Sequence, residues 1–171
     1  ENGLRGKKFF DWQDFEKTIK TALRFLDNVI DINFFPLSSI EEMSLNTRKI
    51  GLGVMGLGGL LYELEIPYNS QAGLNFMEKI AEFLNYHSKL ESIDLARERG
   101  VFPYFDESFY TEGKLPFSAS KNNSSWNFDW DNVIRDIKKY GIRNRVTTVI
   151  APTGSISMIA GCSSGIEPVY S

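Results

Sequence analysis

RVTTVIAPTGSISMIA is the sequence of residues 145–160. Its first part, residues 145–151, is β-branched and apolar, which predicts a buried strand. The strand runs straight into Pro152, and Gly154 is expected to relieve the tight turn that follows. Ser155 is expected to cap a helix at its first turn. The stretch therefore predicts a strand, a tight turn and the start of a helix in direct succession.

This turn is a candidate phosphate-binding site. The first N–H groups of a helix have no acceptor within the helix, and the nest that they form attracts phosphate oxygens. The hydroxyl groups of Thr153, Ser155 and Ser157 could add further donors. On these grounds alone, an ordinary capped turn that binds nothing remains an open alternative, because many such turns have no ligand.

The chain before this stretch is predicted to be largely helical. Apolar residues recur at spacings of three and four, and three helical stretches are expected, at residues 11–36, 39–67 and 70–100. Asp11 is a suitable N-cap for the first helix, and Gly100 is a suitable C-terminal glycine for the third, which begins at Ser70. The middle of the second stretch contains a cluster of glycines, which are poor helix formers.

The expected organisation is one unit over residues 1–171, with three parts. A helical part covers residues 11–100, an irregular loop covers 101–128, and a short helix, the strand and the phosphate loop occupy 129–171. The fold class is helix-rich α/β. A single strong strand among four helices would leave its ladder hydrogen bonds unpaired, so the chain is expected to be part of a larger structure.

Composition excludes several classes of protein. Of the 171 residues, 42% are hydrophobic and 24% are charged, which is typical of one globular domain. The net charge of -3, without long runs of like charge, argues against general binding to nucleic acid or to anionic membranes. No apolar run is long enough to span a membrane, and residues 1–8 do not resemble a signal peptide. A cytoplasmic protein is expected.

The chain has one cysteine, Cys162, and one histidine, His87. An internal disulfide is therefore excluded, and these two residue types cannot form a zinc site within the chain. Cys162 is expected to be a small buried thiol, and His87 is expected to be structural. No catalytic residue and no metal ligand is predicted in this sequence.

A second glycine-rich stretch, from Gly51 to Gly56, formally matches the GxGxxG motif that binds dinucleotides. It suggests an NAD(P)-dependent dehydrogenase as an alternative function. Its context argues against this, because the preceding residues 46–49 are polar and no strand ending in an acidic residue follows about 20 residues later. Glycines that allow close packing of helices or backbone are the preferred interpretation.

Four motifs, in this order, resemble ribonucleotide reductase large subunits. They are NTRKIGLGVMGLGGLLYELEIPYNS at 46–70, LARERGVFPYF at 95–105, YGIRN at 140–144 and APTGSISMIAGCSSGIEP at 151–168. The resemblance covers nearly the whole chain from about Asp11 onward. The APTGSIS form of the last motif is most similar to the adenosylcobalamin-dependent class II enzymes, and class I is the alternative.

The resemblance implies that this chain is a section of a ten-stranded α/β barrel, in which ribonucleotides are reduced to deoxyribonucleotides by cysteine radical chemistry. It implies that Pro152, Thr153, Gly154, Ser155 and Ile156 hold the substrate diphosphate, with Ser157 as a possible additional residue. Adenosylcobalamin, a ribonucleoside di- or triphosphate, the remaining parts of the chain and a second copy in a homodimer are the implied partners of the full-length enzyme.

The cysteine count limits what this chain can do by itself. The reaction of the family needs one cysteine for a thiyl radical and two more to supply electrons, whereas this sequence has only Cys162. The isolated chain is therefore expected to be inactive and to supply the wall that holds the phosphate. A non-catalytic structural fragment is the remaining alternative.

Overall fold

The computed structural model describes residues 9–117 and 125–169, so part of the expected loop at 101–128 lies outside the described residues. Six helices are formed in the described part: α1 (Trp12–Ile32), α2 (Ser38–Thr47), α3 (Leu57–Glu63), α4 (Gln71–Arg99), α5 (Trp130–Tyr140) and α6 (Gly154–Ala160). None of these helices is long and apolar enough to cross a membrane.

The strand expected at residues 145–151 does not form as a regular strand. These residues pair with the segment at 50–52 through one parallel bridge, between Leu52 and Thr148, and through one further backbone hydrogen bond, from the Ile50 N–H to the Val146 carbonyl at 3.0 Å. The neighbouring extended segment is short, because α2 ends at Thr47 and α3 begins at Leu57. The expected burial is also wrong, since Ile150 is 73% exposed. The described residues thus form a helix-rich structure in which the strands of the implied barrel are not seen.

Helices α1 and α4 form the centre of the structure, and both confirm their predicted ends. The Asp11 side chain accepts hydrogen bonds from the first turn of α1, and the Ser70 hydroxyl accepts one from the Gly73 N–H of α4. Gly100, with a φ of 84°, follows α4. Ile19 of α1 packs with aromatic and aliphatic residues of α4 and of the segments around it. This packing buries the apolar faces of both helices.

The second helical stretch divides into two helices. Arg48 ends α2 in the left-handed conformation (φ 42°), and Gly56 begins α3 with a φ of 80°. Residues 49–55 run extended between them. The helical stretch expected at residues 39–67 is thus interrupted in its middle, because the glycines stabilise the helical state poorly and pack closely against another segment instead.

A separate hydrophobic cluster surrounds α5 and the loop that follows α4. Trp130, Val133 and Ile137 of α5 are buried together with Phe102 and Tyr110. Asp129 caps α5 by accepting a hydrogen bond from the Asn132 N–H at 3.0 Å. This cluster anchors the irregular loop to α4.

A buried charged group, Asp27 of α1, joins the helices to the segment that leads to the candidate site. Its Oδ1 accepts hydrogen bonds from Arg48 Nε and from Asn144 Nδ2, both at 2.9 Å. Arg143 Nε lies 3.4 Å from its Oδ2. Because Asp27 is fully buried, these donors compensate for the cost of removing its charge from water.

Candidate functional site

The candidate site lies at the end of the extended segment 146–150. Leu52 N–H donates to the Thr147 carbonyl at 2.9 Å, and Val149 N–H donates to the Leu52 carbonyl at 3.0 Å. These two bonds form the parallel bridge and fix the direction in which the chain approaches Pro152. Asn144, before the segment, donates hydrogen bonds to Asp27 Oδ1 and to the Arg48 carbonyl, and these bonds fix the start of the segment.

The turn at residues 152–156 differs in detail from the sequence prediction. Thr153, and not Gly154, adopts the left-handed conformation, with a φ of 52°. Helix α6 begins directly after it, so Ser155 lies inside the first turn and does not cap the helix. Thr153 Oγ1 accepts a hydrogen bond from the Gly165 N–H at 2.6 Å, and this bond stabilises a conformation that a β-branched residue rarely adopts.

The first turn of α6 presents unpaired donors to the surface. Within the described residues, the N–H groups of Gly154, Ser155 and Ile156 have no backbone or side-chain acceptor. All three residues are exposed, as is Pro152. Three adjacent N–H groups at the start of a helix carry a partial positive charge, which favours an anion. The arrangement is chemically suited to hold phosphate oxygens.

Ser157 has a different environment from the residues before it. It is 2% exposed, and its hydroxyl is within hydrogen-bonding distance of the Gly154 carbonyl and of Ser164 Oγ, both at 3.0 Å. The Cys162 N–H donates to the Ser157 carbonyl at 3.0 Å. Ser157 therefore joins the turn to the loop after α6, and its hydroxyl is occupied within the protein.

The glycine-rich stretch at residues 51–58 packs directly against the candidate site. A Cβ atom on Gly53 would lie 2.5 Å from the Val149 carbonyl oxygen, and one on Gly51 would lie 2.8 Å from a methyl group of Val149. A Cβ on Gly58 would overlap the Glu167 carbonyl. These glycines allow the two segments to approach each other, which confirms the interpretation that they permit close packing of the backbone.

The same contacts occupy the donors that a dinucleotide would need. At the start of α3, Gly56 N–H donates to the Ser163 carbonyl at 2.7 Å, and Gly59 N–H donates to Ser163 Oγ at 3.0 Å. Leu57 N–H donates to the Gly165 carbonyl at 3.4 Å. Because these groups hold the loop after α6, they are not free for a pyrophosphate, and the dehydrogenase alternative has no support.

Sequence reasoning missed a buried hydrogen-bond network behind the site. Lys89 of α4 is 2% exposed, and its Nζ lies 2.6 Å from Thr147 Oγ1. Ser88 Oγ lies 3.0 Å from the same Thr147 oxygen. Burial lowers the pKa of Lys89 to about 8. A lysine on the buried face of a predicted helix was the signal that could have identified it.

Neither of the two residues considered for metal chemistry forms a metal site. Cys162 is exposed, which corrects the expected buried thiol, because it directly follows the exposed C-terminal end of α6. His87 is buried against Phe83 and Phe128, and burial lowers its pKa. No group of three or more potential metal ligands occurs in the part of the chain that the structure describes.

The comparisons with known proteins identify the family of this chain. The model of the ribonucleotide reductase barrel domain matches residues 2–171. A vitamin B12-dependent ribonucleoside-diphosphate reductase of Thermoplasma acidophilum is 46% identical over 167 residues, which cover 96% of this chain and 18% of that protein. The ribonucleoside-diphosphate reductase subunit alpha of Chlamydia pneumoniae is 39% identical, over 94% of this chain and 16% of that protein.

A vitamin B12-dependent ribonucleoside-diphosphate reductase of Mycobacterium tuberculosis is 36% identical over 94% of this chain and 19% of its own length. The chain thus spans between 16% and 19% of the length of these curated relatives. Since the barrel-domain model covers nearly every residue, this chain belongs to the ribonucleotide reductase family.

Proposed function

We propose that this chain supplies the phosphate-holding wall of a ribonucleotide reductase that converts ribonucleoside diphosphates to deoxyribonucleotides. The observation that carries the proposal is the row of three unpaired N–H groups at Gly154, Ser155 and Ile156, exposed at the end of the extended segment. The relatives are named as reductases of ribonucleoside diphosphates, which supports a diphosphate as substrate.

Each residue of the loop has a distinct part in this proposal. The N–H groups of Gly154, Ser155 and Ile156 donate to phosphate oxygens, and the Ser155 hydroxyl adds a fourth donor. Pro152 has no N–H and shapes the turn before Thr153. Since the Ser157 hydroxyl already bonds within the protein, Ser157 supports the loop and does not contact the ligand.

The remaining chemistry belongs to parts of the protein outside these 171 residues. The names of two relatives support adenosylcobalamin as the cofactor of the full-length enzyme, where it would supply the radical that starts the reaction. The single histidine, His87, is enclosed by aromatic rings and offers no accessible imidazole to cobalt, and we assign none of the described residues to this cofactor. The thiols that reduce the ribose must likewise come from elsewhere, because Cys162 is the sole cysteine.

Exposed apolar residues near the loop support contact with the remaining chain. Ile150, Met158 and Ile159 have between 73% and 87% of their surface exposed. Residues of this kind are normally covered in a complete domain. We propose that they face other parts of the barrel and that the full-length enzyme is a homodimer whose barrel includes residues 1–171 as one continuous section.

The first experiment measures deoxyribonucleotide formation by the full-length reductase. Ribonucleoside diphosphates are supplied with a dithiol reductant, with and without adenosylcobalamin. Product that depends on the cobalamin is the expected result. The assignment to the cobalamin-dependent class would be contradicted if no product formed with cobalamin and product did form when an iron-loaded partner subunit was added.

The second experiment tests the loop by an amide NMR titration of the 171-residue chain. Addition of a ribonucleoside diphosphate is expected to shift the N–H signals of Gly154 and Ser155, weakly, because base and ribose contacts are missing. Addition of NADPH is expected to leave Gly53 and Gly56 unchanged. Shifts confined to those two glycines would contradict the proposal, and no shift with either ligand would favour a purely structural fragment.

The matching kinetic variant is Ser155→Ala in the full-length enzyme, with Ser39→Ala as its control. Loss of one hydroxyl donor is worth about 1 kcal/mol, so KM should rise roughly three- to tenfold. Ser39 is exposed on α2 and far along the chain from the loop, and its replacement should leave KM unchanged. Equal KM values for the two variants would contradict a role for the Ser155 hydroxyl.

A further inference from the structure

Lys89 is a buried cation that the proposed function does not yet use. It lies in the second half of α4, and its side chain is almost completely enclosed. Within the described residues, its Nζ donates one hydrogen bond, to Thr147 Oγ1 at 2.6 Å, and no carboxylate forms an ion pair with it. An ammonium group has three donors, so a single hydroxyl is poor compensation for its burial.

The hydrogen bonds around Lys89 have a fixed direction. Ser88 Oγ donates its one proton to the Asn85 carbonyl at 2.9 Å. In the 3.0 Å contact between Ser88 and Thr147, the proton must therefore come from Thr147. Thr147 Oγ1 then has only lone pairs to offer, and Lys89 is the donor that uses one of them. The hydrogen-bond network therefore connects Lys89 through Thr147 and Ser88 to the backbone of α4.

Thr147 connects this hydrogen-bond network to the segment that precedes the phosphate loop. Its side chain is held by Lys89, while its carbonyl accepts the Leu52 N–H at 2.9 Å. The bridge residue Thr148 follows directly, and Pro152 lies five residues after Thr147. Both sides of the segment are thus fixed at one residue, and the direction of residues 148–152 depends on it.

The cost of this arrangement indicates a role beyond packing. A methionine would fill about the same volume without a buried charge, and it would pack at least as well. Folded proteins usually keep such a local conflict where function requires it. The conflict here lies directly behind the segment that leads to Gly154 and Ser155.

We propose that Lys89 is a positioning residue for substrate binding, which acts through Thr147 to hold the extended segment and its phosphate loop in the geometry that accepts the diphosphate. This inference rests on the function proposed above. Lys89 itself touches no ligand, so its removal should weaken binding of the diphosphate without changing the chemical steps.

The test uses the full-length reductase with Lys89→Met, Thr147→Val and Thr147→Ser, and with Lys79→Met as an exposed control on the same helix. Lys89→Met and Thr147→Val should each raise KM for the diphosphate at least fivefold, with kcat within twofold of the wild type. Thr147→Ser keeps the hydroxyl and should retain the wild-type KM. Hydrogen exchange of residues 145–160 should become faster in Lys89→Met and remain unchanged in Lys79→Met.

Thermal unfolding separates positioning from simple structural support. Because Lys89→Met removes a buried charge, its melting temperature should equal or exceed that of the wild type while its KM is raised. A raised KM together with a lowered melting temperature would overturn the inference, because a general weakening of the packing around the loop would then explain both.

Ser155→Ala, measured in parallel, distinguishes failure of this inference from failure of the proposed function. If Ser155→Ala raises KM and Lys89→Met does not, the loop holds the substrate and the role of Lys89 is wrong. If neither variant changes KM, the loop does not hold the phosphate, and both proposals are overturned.

Discussion

Replacement of Lys89 by methionine is expected to stabilise the chain at neutral pH, although it removes a hydrogen bond. Burial lowers the pKa of Lys89 from 10.5 to about 8. A tenfold change in a proton equilibrium is worth about 1.4 kcal/mol, so the buried charge costs the native state about 3 kcal/mol. The lost hydrogen bond to Thr147 is worth about 1 kcal/mol. The expected net gain is about 2 kcal/mol in the free energy of unfolding.

The dependence of this gain on pH provides the sharper assay. Below about pH 8, Lys89 is protonated in both states and the full cost is present. Between pH 8 and pH 10.5 the unfolded state binds more protons, so the wild type gains stability relative to the variant as pH rises. Above that range the cost is gone, and the variant should be the less stable protein by about 1 kcal/mol.

Urea unfolding of the wild type and of Lys89→Met at pH 7 and at pH 10.5 gives the four free energies that are needed. Since other lysines and tyrosines titrate equally in both proteins, the difference between the two proteins isolates Lys89. A variant that is less stable than the wild type at pH 7, or a difference that does not change with pH, would refute the reasoning.

Three further changes test the packing around the site by the same unfolding assay. Gly53→Ala should lower the free energy of unfolding by about 2 to 3 kcal/mol, because its Cβ would lie 2.5 Å from a carbonyl oxygen. Gly154→Ala, whose Cβ would have no atom within 4 Å, should change it by less than about 0.5 kcal/mol, and equal losses for the two variants would contradict the close approach at Gly53. Asp27→Asn should cost about 3 to 5 kcal/mol because it leaves buried arginines without their carboxylate, and the exposed Asp94→Asn should cost less than about 0.5 kcal/mol; a mild Asp27→Asn would refute the buried pair. Burial lowers the pKa of His87 below its ordinary 6.5, so stability that is present above pH 6.5 is lost as pH falls. His87→Phe should reduce this loss, and the same loss of stability at acid pH in the variant and the wild type would contradict the prediction.

Helix ends were predictable because their signals are local. Asp11 and Ser70 cap helices through side-chain oxygens within three residues of the N–H groups that they accept, and Gly100 supplies a positive φ. Such contacts depend on a few adjacent residues, which a sequence displays directly. The amphipathic spacing of α1 and α4 is equally local and gave the correct pair of long helices.

The pairing of the two glycine-rich stretches was not predictable in the same way. Gly53 packs against Val149, and Gly59 donates to Ser163, across about a hundred residues of chain. The sequence of either stretch does not show that it contacts the other, because a glycine that allows close packing is compatible with many different neighbours. For this reason the sequence did not predict what the glycines in the middle of the second helical stretch contact.

The turn at the candidate site was predicted in its position along the chain and not in its geometry. The sequence of proline, threonine, glycine and serine indicated a turn before a helix, and one is present. The residue with positive φ is Thr153, because its Oγ1 accepts the Gly165 N–H from a distant part of the loop. The Lys89 contact with Thr147 was missed because it depends on how α4 packs against the extended segment.

The most direct test of the phosphate-holding loop is calorimetric titration of the full-length reductase with a ribonucleoside diphosphate and with the corresponding unphosphorylated ribonucleoside. The wild type is compared with Ser155→Pro, which removes one N–H and one hydroxyl from the first turn of α6 without breaking an intrahelical bond. The account predicts that the variant binds the diphosphate at least tenfold more weakly and the ribonucleoside equally well. Equal loss for both ligands, or unchanged affinity for the diphosphate in a variant with wild-type thermal stability, would contradict it.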